Sequence, residues 1–398
     1  MPDEQFDAVV VGGGPAGATA ATVLARAGRS VLLLDRAGRI KPCGGAVPPR
    51  LIRDYAIPDD LLVARITGAR MVSPADRRVH IPIEGGYVGM VDREVFDEWL
   101  RERARAAGAE RRAGTFERLV REPDGMAAIE YRPKETGRAG PTRRVRARCV
   151  IGADGANSQV ARQSVPGADR VKHVFAYHEI IESPEAGAAD FDPRTCDVIY
   201  RGSLSPDFYA WVFPHGATTS VGTGSANKGF SLRGAVAATR AAMGLERART
   251  IRCEGAPIPL TPMRRWDNRR DVVLAGDAAG VVAPASGEGI YYAMLGGELA
   301  AEAADQFLAT GDARALAKAR KRFMRLHGRV FWILKIMQWF WYSSDRRRES
   351  FVSICQDKDV QRLTFEAYMN KELVRRDPLA HVRIFFKDLA HLAGFARP

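Results

Sequence analysis

The chain has 398 residues, 46% hydrophobic and 27% charged, a usage that excludes a disordered, fibrous or peptide-sized scaffold and leaves room for two or three structural units. The formal charge of +13 permits attraction to anionic partners, but the basic residues are spread along the chain and often mixed with acids, as in "LRERARAAGAERRAG", with no basic helix or RNA-binding signature to point to nucleic acid. Five cysteines, Cys43, Cys149, Cys196, Cys253 and Cys355, lie far apart with no CxxC pair, which argues against a disulfide framework or structural zinc and fits a reducing compartment.

The N-terminal stretch "MPDEQFDAVVVGGG" enters an apolar run within a few residues, with no basic leader or cleavage site, so no signal peptide is expected. "FDAVVVG" predicts a strand, "PAGATAATVLARAG" a helix closed by Gly28, and "SVLLLD" a second strand: a βαβ unit of a parallel sheet. A strand pair and then a helix are expected between Arg70 and Ala113, the helix carrying Phe96, Trp99 and Leu100 on one face. "RARCVIGADGANSQVAR" reads as a buried strand, a turn and a helix. From Val171 to Ile258 alternating aromatic and β-branched residues predict an antiparallel sheet. "DVVLAGDAAG" returns to the parallel style, and beyond Gly289 the chain reads as helical. The expected layout is a first domain over 1–170 with inserted strands near 65–92, a substrate domain over 171–260, a return to the first over 261–310, and a helical region over 311–398.

Gly12, Gly14 and Gly17 stand in GxGxxG spacing between strand and helix, with Asp35 closing the next strand. Gly12 permits the tight turn, Gly14 lets backbone approach a pyrophosphate, Gly17 lets helix and strand pack, and Asp35 can accept from a ribose hydroxyl. This pattern fits NAD or FAD equally.

"GADGANS" places Asp154 and Gly155 after a buried strand, and "LAGDAAGVVAPASGEGI" places Asp277 after another, with Pro284, Gly287, Gly289 and Ile290 following. With these motifs in this order the chain resembles the flavoproteins of the p-hydroxybenzoate-hydroxylase fold. The resemblance implies an FAD cradle of Gly12, Gly14, Pro15, Ala16 and Gly17, with Asp35 and Arg36 at the adenosine side and Asp154 and Gly155 nearby. It implies Asp277 on the ribityl chain, and Gly287 and Gly289 bringing backbone to the flavin. The arginine matching Arg93 contacts FAD in that superfamily. An aspartate before a glycine turn is also an ordinary helix cap. A second GxGxxG is lacking, so a nicotinamide donor would visit a groove.

"YAWVFPHGATTSVGTG" has the YxWxFP-x7-GxG arrangement, from Tyr209, Trp211 and Phe213 to Gly222 and Gly224, and "PCGGAVPP" begins at Pro42. Both resemble the geranylgeranyl reductase family, in particular the members that reduce the geranylgeranyl chain of chlorophyll or bacteriochlorophyll to phytyl. The resemblance implies FAD with NADPH as donor, a prenyl diphosphate or prenylated chlorin as substrate, and Cys43, Gly44, Gly45 and Ala46 beside the isoalloxazine. Tyr209, Trp211 and Phe213 alternate and so share a face, either as floor of an apolar slot or as part of a core. Cys43 is open to two roles: an apolar packing residue, or the proton donor completing alkene reduction.

"RVFWILKIMQWFWYSSDRRR" is too short and interrupted to span a bilayer, which takes about 20 apolar residues. It can lie on a membrane surface with Arg329 and Arg346 to Arg348 at headgroups, line a lipid-sized cavity, or form a core helix. The expectation is a cytoplasmic enzyme peripheral on a photosynthetic membrane. Arg39, Lys41 and the C-terminal arginines are the candidates for a diphosphate anchor. The rival readings are an aromatic hydroxylase, a reductase of archaeal-type lipids, and a non-catalytic binder of flavin and prenyl lipid.

Overall fold

In a computed structural model the described residues are 4–362 and Lys371, apart from 37, 39, 136–137 and 186–187. They fall into two compact units, each assembled from three stretches of chain. The first takes the described residues of Met1–Lys41, Arg93–His173 and Pro257–Phe331; the second takes Pro42–Asp92, Val174–Ala256 and the described chain from Trp332.

The first unit is built on a seven-stranded sheet in the order Arg138–Ala139, Ala127–Glu135, Glu110–Arg121, Val31–Asp35, Gln5–Val11, Arg143–Gly152, Val272–Leu274. Its core pairings are parallel, from Glu110–Arg121 across to Val272–Leu274. Strands buried on both faces need continuous apolar runs, and Ala8, Val9, Val10, Leu32, Leu33, Val150 and Ile151 are fully buried. Helix Pro15–Arg26 begins with proline at its first position and stops before Gly28, whose φ of +78° is the left-handed conformation glycine adopts without penalty. Its small face is covered by helix Ile290–Thr310. The approach is backbone-close: a Cβ on Gly297 would lie 2.1 Å from the Ala16 carbonyl oxygen. Helix Arg93–Ala106 buries Arg93, Phe96, Asp97, Leu100 and Ala104, a helical stripe, with Trp99 stacked on Phe96.

The second unit carries a seven-stranded sheet in the order Thr250–Pro259, His173–Glu182, Thr218–Ser225, Ala210–His215, Thr195–Ile199, Gly68–Val72, Arg78–Pro82. His173–Glu182, Thr218–Ser225, Ala210–His215 and Thr195–Ile199 pair antiparallel, as expected of this stretch of chain. Gly68–Val72 lies parallel to Thr195–Ile199, so a hairpin from more than a hundred residues upstream completes the sheet. Helix Leu232–Ala242, capped by Ser231 Oγ accepting from Gly234 N, packs on one face through Val236 against Ile181, Ile199, Ala210, Val212 and Val221. A small sheet joins Ala46–Val47, Val88–Val91 and Leu62–Ile66.

Of the segment from Val330 to Tyr342, all but Tyr342 is the C-terminal half of helix Lys318–Trp341, which is followed by helix Asp345–Ile354. Among the described residues no helix is long and apolar enough to cross a membrane. The helical reading of the chain beyond 362 falls outside the described residues.

Candidate cofactor and prenyl sites

In the first unit the glycine turn is shaped by contacts that admit no side chain. Gly12 has φ +106°, and a Cβ there would sit 2.3 Å from the Ala153 carbonyl oxygen; one on Gly17 would sit 1.8 Å from the Gly12 oxygen. At Gly14 a Cβ would meet nothing within 4 Å, and no side chain caps the helix that starts at Pro15. Close packing behind, open space in front and uncapped amides at a helix N-terminus together fit a pyrophosphate. Ala16 is buried in this turn, with Gly276 and Gly297 against it. Asp35 Oδ1 accepts from the Gly13 amide at 3.0 Å, and its Oδ2 faces Arg101 Nη1 at 3.3 Å. The same Arg101 nitrogen donates to the Gly13 oxygen at 3.3 Å, so one guanidinium ties acid and turn together. Arg101 was missed in the sequence; its signal was its place one turn past Asp97 on the buried side of a helix already read. Arg36 is exposed.

The three later motifs divide. The Asp154 carboxylate accepts from Ser158 Oγ and from the Gln159 and Val160 amides at 2.7 and 3.2 Å, capping helix Gln159–Ser164. Burial pushes its carboxyl up, and these bonds oppose that shift. The cap reading of Asp154 therefore describes its visible contacts, and Gly155 turns beside it with φ +88°. Arg93 is gripped by Asp97, four residues on, through paired bonds of 2.9 and 2.8 Å. Asp277 is joined by Lys41, one of the residues set aside as a diphosphate anchor; Arg39 lies outside the described residues. A cavity of about 180 Å³ brings Asp277 together with Asn157, Ser158, Arg162, His173 and Met263. Further on, buried Pro284 leads into a tight loop, Gly287 N donating to Ala283 O at 3.0 Å, and Gly289 caps the helix that opens at Ile290. Glu288 Oε1 accepts from the Tyr291 amide at 2.9 Å, a cap the glycine-led reading overlooked.

In the second unit the "PCGG" loop and the aromatic strand come together. A Cβ on Gly44 would lie 3.3 Å from the Phe213 ring, and one on Gly45 would lie 2.6 Å from both His215 Nε2 and the Val91 oxygen. Gly45 N donates to Cys43 Sγ at 3.4 Å, Val91 N to the Gly45 oxygen at 2.9 Å, and Ala46 pairs with Met90. His215, missed in the sequence, has its Nδ1 2.9 Å from the Phe213 carbonyl, and burial lowers its pKa, favouring the neutral ring. Tyr209 and Trp211 are buried, and the chain of rings continues to Phe213 with centroid spacings of 6.0 and 6.1 Å. Burial pushes the Tyr209 phenol well above its ordinary range. Ala210 and Val212, not the aromatics, pack under helix Leu232–Ala242, while on the other face Phe213 packs against Ile66, Ile83, Val88, Met90 and Cys196 and Tyr209 against Tyr200 and Phe208.

The signature's spacing has a steric cause. Gly222 pairs with Trp211 on one neighbouring strand and with His178 on the other. A Cβ at Gly222 would lie 2.2 Å from Trp211 Cζ2 and 2.6 Å from His178 Cβ. Only glycine leaves the indole its place.

A glycine-turn cradle on a parallel sheet, together with a second unit of mixed sheet, gives the p-hydroxybenzoate-hydroxylase type of fold, which solved flavin-dependent enzymes share. Residues 6–199 match the family model described as pyridine nucleotide-disulphide oxidoreductase. A geranylgeranyl bacteriochlorophyll reductase-like protein from Thermoplasma acidophilum superposes with a TM-score of 0.80 over 95% of this chain and 99% of that one, at 23% identity. The geranylgeranyl diphosphate reductase of Rhodobacter capsulatus is 59% identical over 99% of both chains. The chloroplastic geranylgeranyl diphosphate reductase of Oryza sativa is 36% identical over 96% of this chain and 85% of its own. The chain belongs to the geranylgeranyl diphosphate reductase family.

Proposed function

We propose that this protein is an FAD-dependent reductase that saturates isolated C=C bonds of a geranylgeranyl chain with NADPH as electron donor, in the formation of chlorophyll or bacteriochlorophyll. The observation that carries the reading is the meeting of the Cys43 loop with the Phe213 end of the aromatic strand, which places a thiol, glycine backbone and an apolar ring face in one cluster. Two names support the pathway: one relative is chloroplastic, and a structural neighbour is described as geranylgeranyl bacteriochlorophyll reductase-like. When bound and reduced, FAD supplies the hydride that an unpolarised alkene needs.

The chain's own residues do the rest. Gly12, Gly14, Pro15, Ala16 and Gly17 hold the pyrophosphate; Asp35, kept in place by Arg101, takes the ribose, with Arg36 exposed beside it. Asp277, whose Oδ2 is paired with Lys41, would take the ribityl chain. Arg93 and Asp97 brace the start of their helix on the cofactor side, Asp154 and Gly155 shape the turn beyond it, and Pro284, Gly287, Gly289 and Ile290 present backbone. Tyr209, Trp211 and Phe213 line the prenyl slot and exclude water, and Gly44, Gly45 and Ala46 let backbone lie close to a planar ring. Cys43 either packs there or gives the proton that the second alkene carbon takes up.

The protein acts at a lipid surface. In the second unit Trp332 and Trp339 are 66% and 74% exposed, Ile336 lies between them, and Lys335, Arg346 and Arg347 supply cationic charge, whereas Arg348, expected with them, is buried against Asp345 and the Pro206 and Tyr342 oxygens. Exposed tryptophan flanked by basic residues suits an anionic headgroup region.

The test is anaerobic incubation of the holoenzyme with NADPH and either geranylgeranyl diphosphate or a geranylgeranylated chlorin, followed by mass analysis. A gain of two hydrogens per bond with either substrate supports the reading and names the substrate. No gain with both, or stoichiometric oxygen uptake with substrate, refutes it.

A further inference from the structure

Beside Trp211 lies a row of polar side chains that alkene reduction does not call on. The Trp211 indole N–H donates to Ser220 Oγ at 3.1 Å, and His178 Nδ1 lies 2.9 Å from the same oxygen. His178 Nε2 is 3.3 Å from Glu254 Oε2, and the other oxygen of that carboxylate is held by Arg252. Trp211, Ser220 and His178 are all buried.

Donor and acceptor roles follow from chemistry. An indole N–H can only donate, so Ser220 Oγ accepts from it and has its own hydrogen left to give. His178 Nδ1 is the acceptor in reach, which leaves the ring proton on Nε2, facing Glu254. Burial pushes the Glu254 carboxyl up, but the bonds from His178 and Arg252 outweigh it and hold the group below its ordinary range, as an acceptor. The chain Trp211 to Ser220 to His178 to Glu254 is thus consistent in direction. The sheet sets its geometry: Gly222, with no side chain, lies between Trp211 and His178, and Ser220 stands two residues before it on the same strand.

We infer that Ser220 and His178, oriented by Glu254, are positioning residues that lock the Trp211 indole in one rotamer and so fix the width of the prenyl slot. The inference rests on the reading that Trp211 lines that slot. A side chain already held in its bound conformation does not have to be ordered when the flexible prenyl chain enters.

The test is a double-mutant cycle on the FAD-loaded protein with the prenyl substrate that is turned over. Ser220→Ala should raise KM roughly tenfold, the size of one lost buried hydrogen bond, with FAD content unchanged. Trp211→Phe should do the same, and the double variant should be no worse than Trp211→Phe alone. His178→Ala should match Ser220→Ala, whereas His178→Asn, whose Oδ1 can take the place of Nδ1, should stay near the parent chain. If Ser220→Ala is silent, or adds its full effect on top of Trp211→Phe, the inference is overturned while the slot reading stands. If Trp211→Phe is itself silent, the slot reading fails as well. For a variant too unstable for kinetics, the Trp211 emission decides, taken as the difference between each chain and its Trp211→Phe counterpart. It should shift when the Ser220 bond is lost, and an unshifted spectrum overturns the inference.

Discussion

Gly222→Ala tests the steric account of the signature most directly. The backbone tolerates alanine here, since this glycine does not occupy the left-handed region, so the whole effect comes from one methyl group. That methyl would lie 2.2 and 2.5 Å from Trp211 Cζ2 and Cε2 and 2.6 Å from His178 Cβ. Carbon atoms settle at about 3.5–4.0 Å, so the indole must retreat by ~1.3 Å or rotate. Overpacking of this kind costs about 1–3 kcal/mol. Rotation also strips the indole N–H of its Ser220 acceptor, worth about 1–3 kcal/mol more for a buried donor. At ~2–4 °C per kcal/mol for a cooperative unit of this size, the melting temperature should fall by roughly 5–20 °C. Thermal melts followed by tryptophan emission measure that fall, flavin absorbance after gel filtration measures cofactor content, and product mass measures turnover. The expected result is a lower melting temperature, retained FAD and strongly reduced prenyl turnover. Adding Trp211→Leu should restore the melting temperature without restoring turnover. A Gly222→Ala protein that melts within ~1 °C of the parent and turns over normally would refute the reasoning, since a displaced indole cannot leave both unchanged.

Further outcomes are expected. Gly17→Ala, whose methyl would lie 1.8 Å from the Gly12 oxygen, should lose FAD on gel filtration while the second unit's aromatic environment, read by near-UV circular dichroism, is unchanged. Cys43→Ala should keep FAD; turnover lost with normal substrate binding assigns the thiol as proton donor, and near-normal turnover leaves it packing alone. The Arg111 guanidinium beside Glu98, with Arg101 adding to it, holds that carboxyl at about 2 against an ordinary 4.5. A depressed acid stabilises the fold above its unfolded pKa and loses that contribution as pH falls toward the folded value. Arg111→Gln should therefore lower the melting temperature slightly at neutral pH, the pair being half exposed, and the gap to the parent should close between pH ~4.5 and ~2. Trp332→Ser with Trp339→Ser should cut sedimentation with vesicles containing acidic lipid, and binding that survives the pair of changes removes the lipid-surface reading.

Much of the first unit could be read from sequence because strands buried on both faces cannot hide. "DAVVV" and "VLLLD" are continuous apolar runs bounded by glycine, and the helix between them carries its proline and glycine at the proper ends. The aromatic alternation at 209–213 was equally visible, and so was the loop at Cys43. Their contact was not, since Gly44 and Phe213 are brought together by strand pairing across most of a unit. The same holds for the parallel pairing of Gly68–Val72 with Thr195–Ile199. Polar partnerships were the least visible. Asp154 has the same letters whether it caps a helix or faces a ligand, and nothing local distinguishes Lys41 as the partner of Asp277. Arg93 with Asp97 did leave a trace, a four-residue spacing on one helix, but the spacing is common and the burial that makes it matter is tertiary.

The interleaving of the two units bears on how the protein is made. Strand Gln5–Val11 leaves the ribosome long before helix Ile290–Thr310, which covers the helix following it and belongs to the last stretch of the same unit. At about 5–20 residues per second that partner arrives on the order of 15–60 s later. Throughout that time the small-residue face of helix Pro15–Arg26 lacks its native partner, and the second unit likewise waits for chain beyond Trp332. Neither unit can be finished and set aside while the other is synthesised, so apolar surface stays unburied until the last stretch emerges. A single cut anywhere between Pro42 and Phe331 would leave each fragment an incomplete share of both.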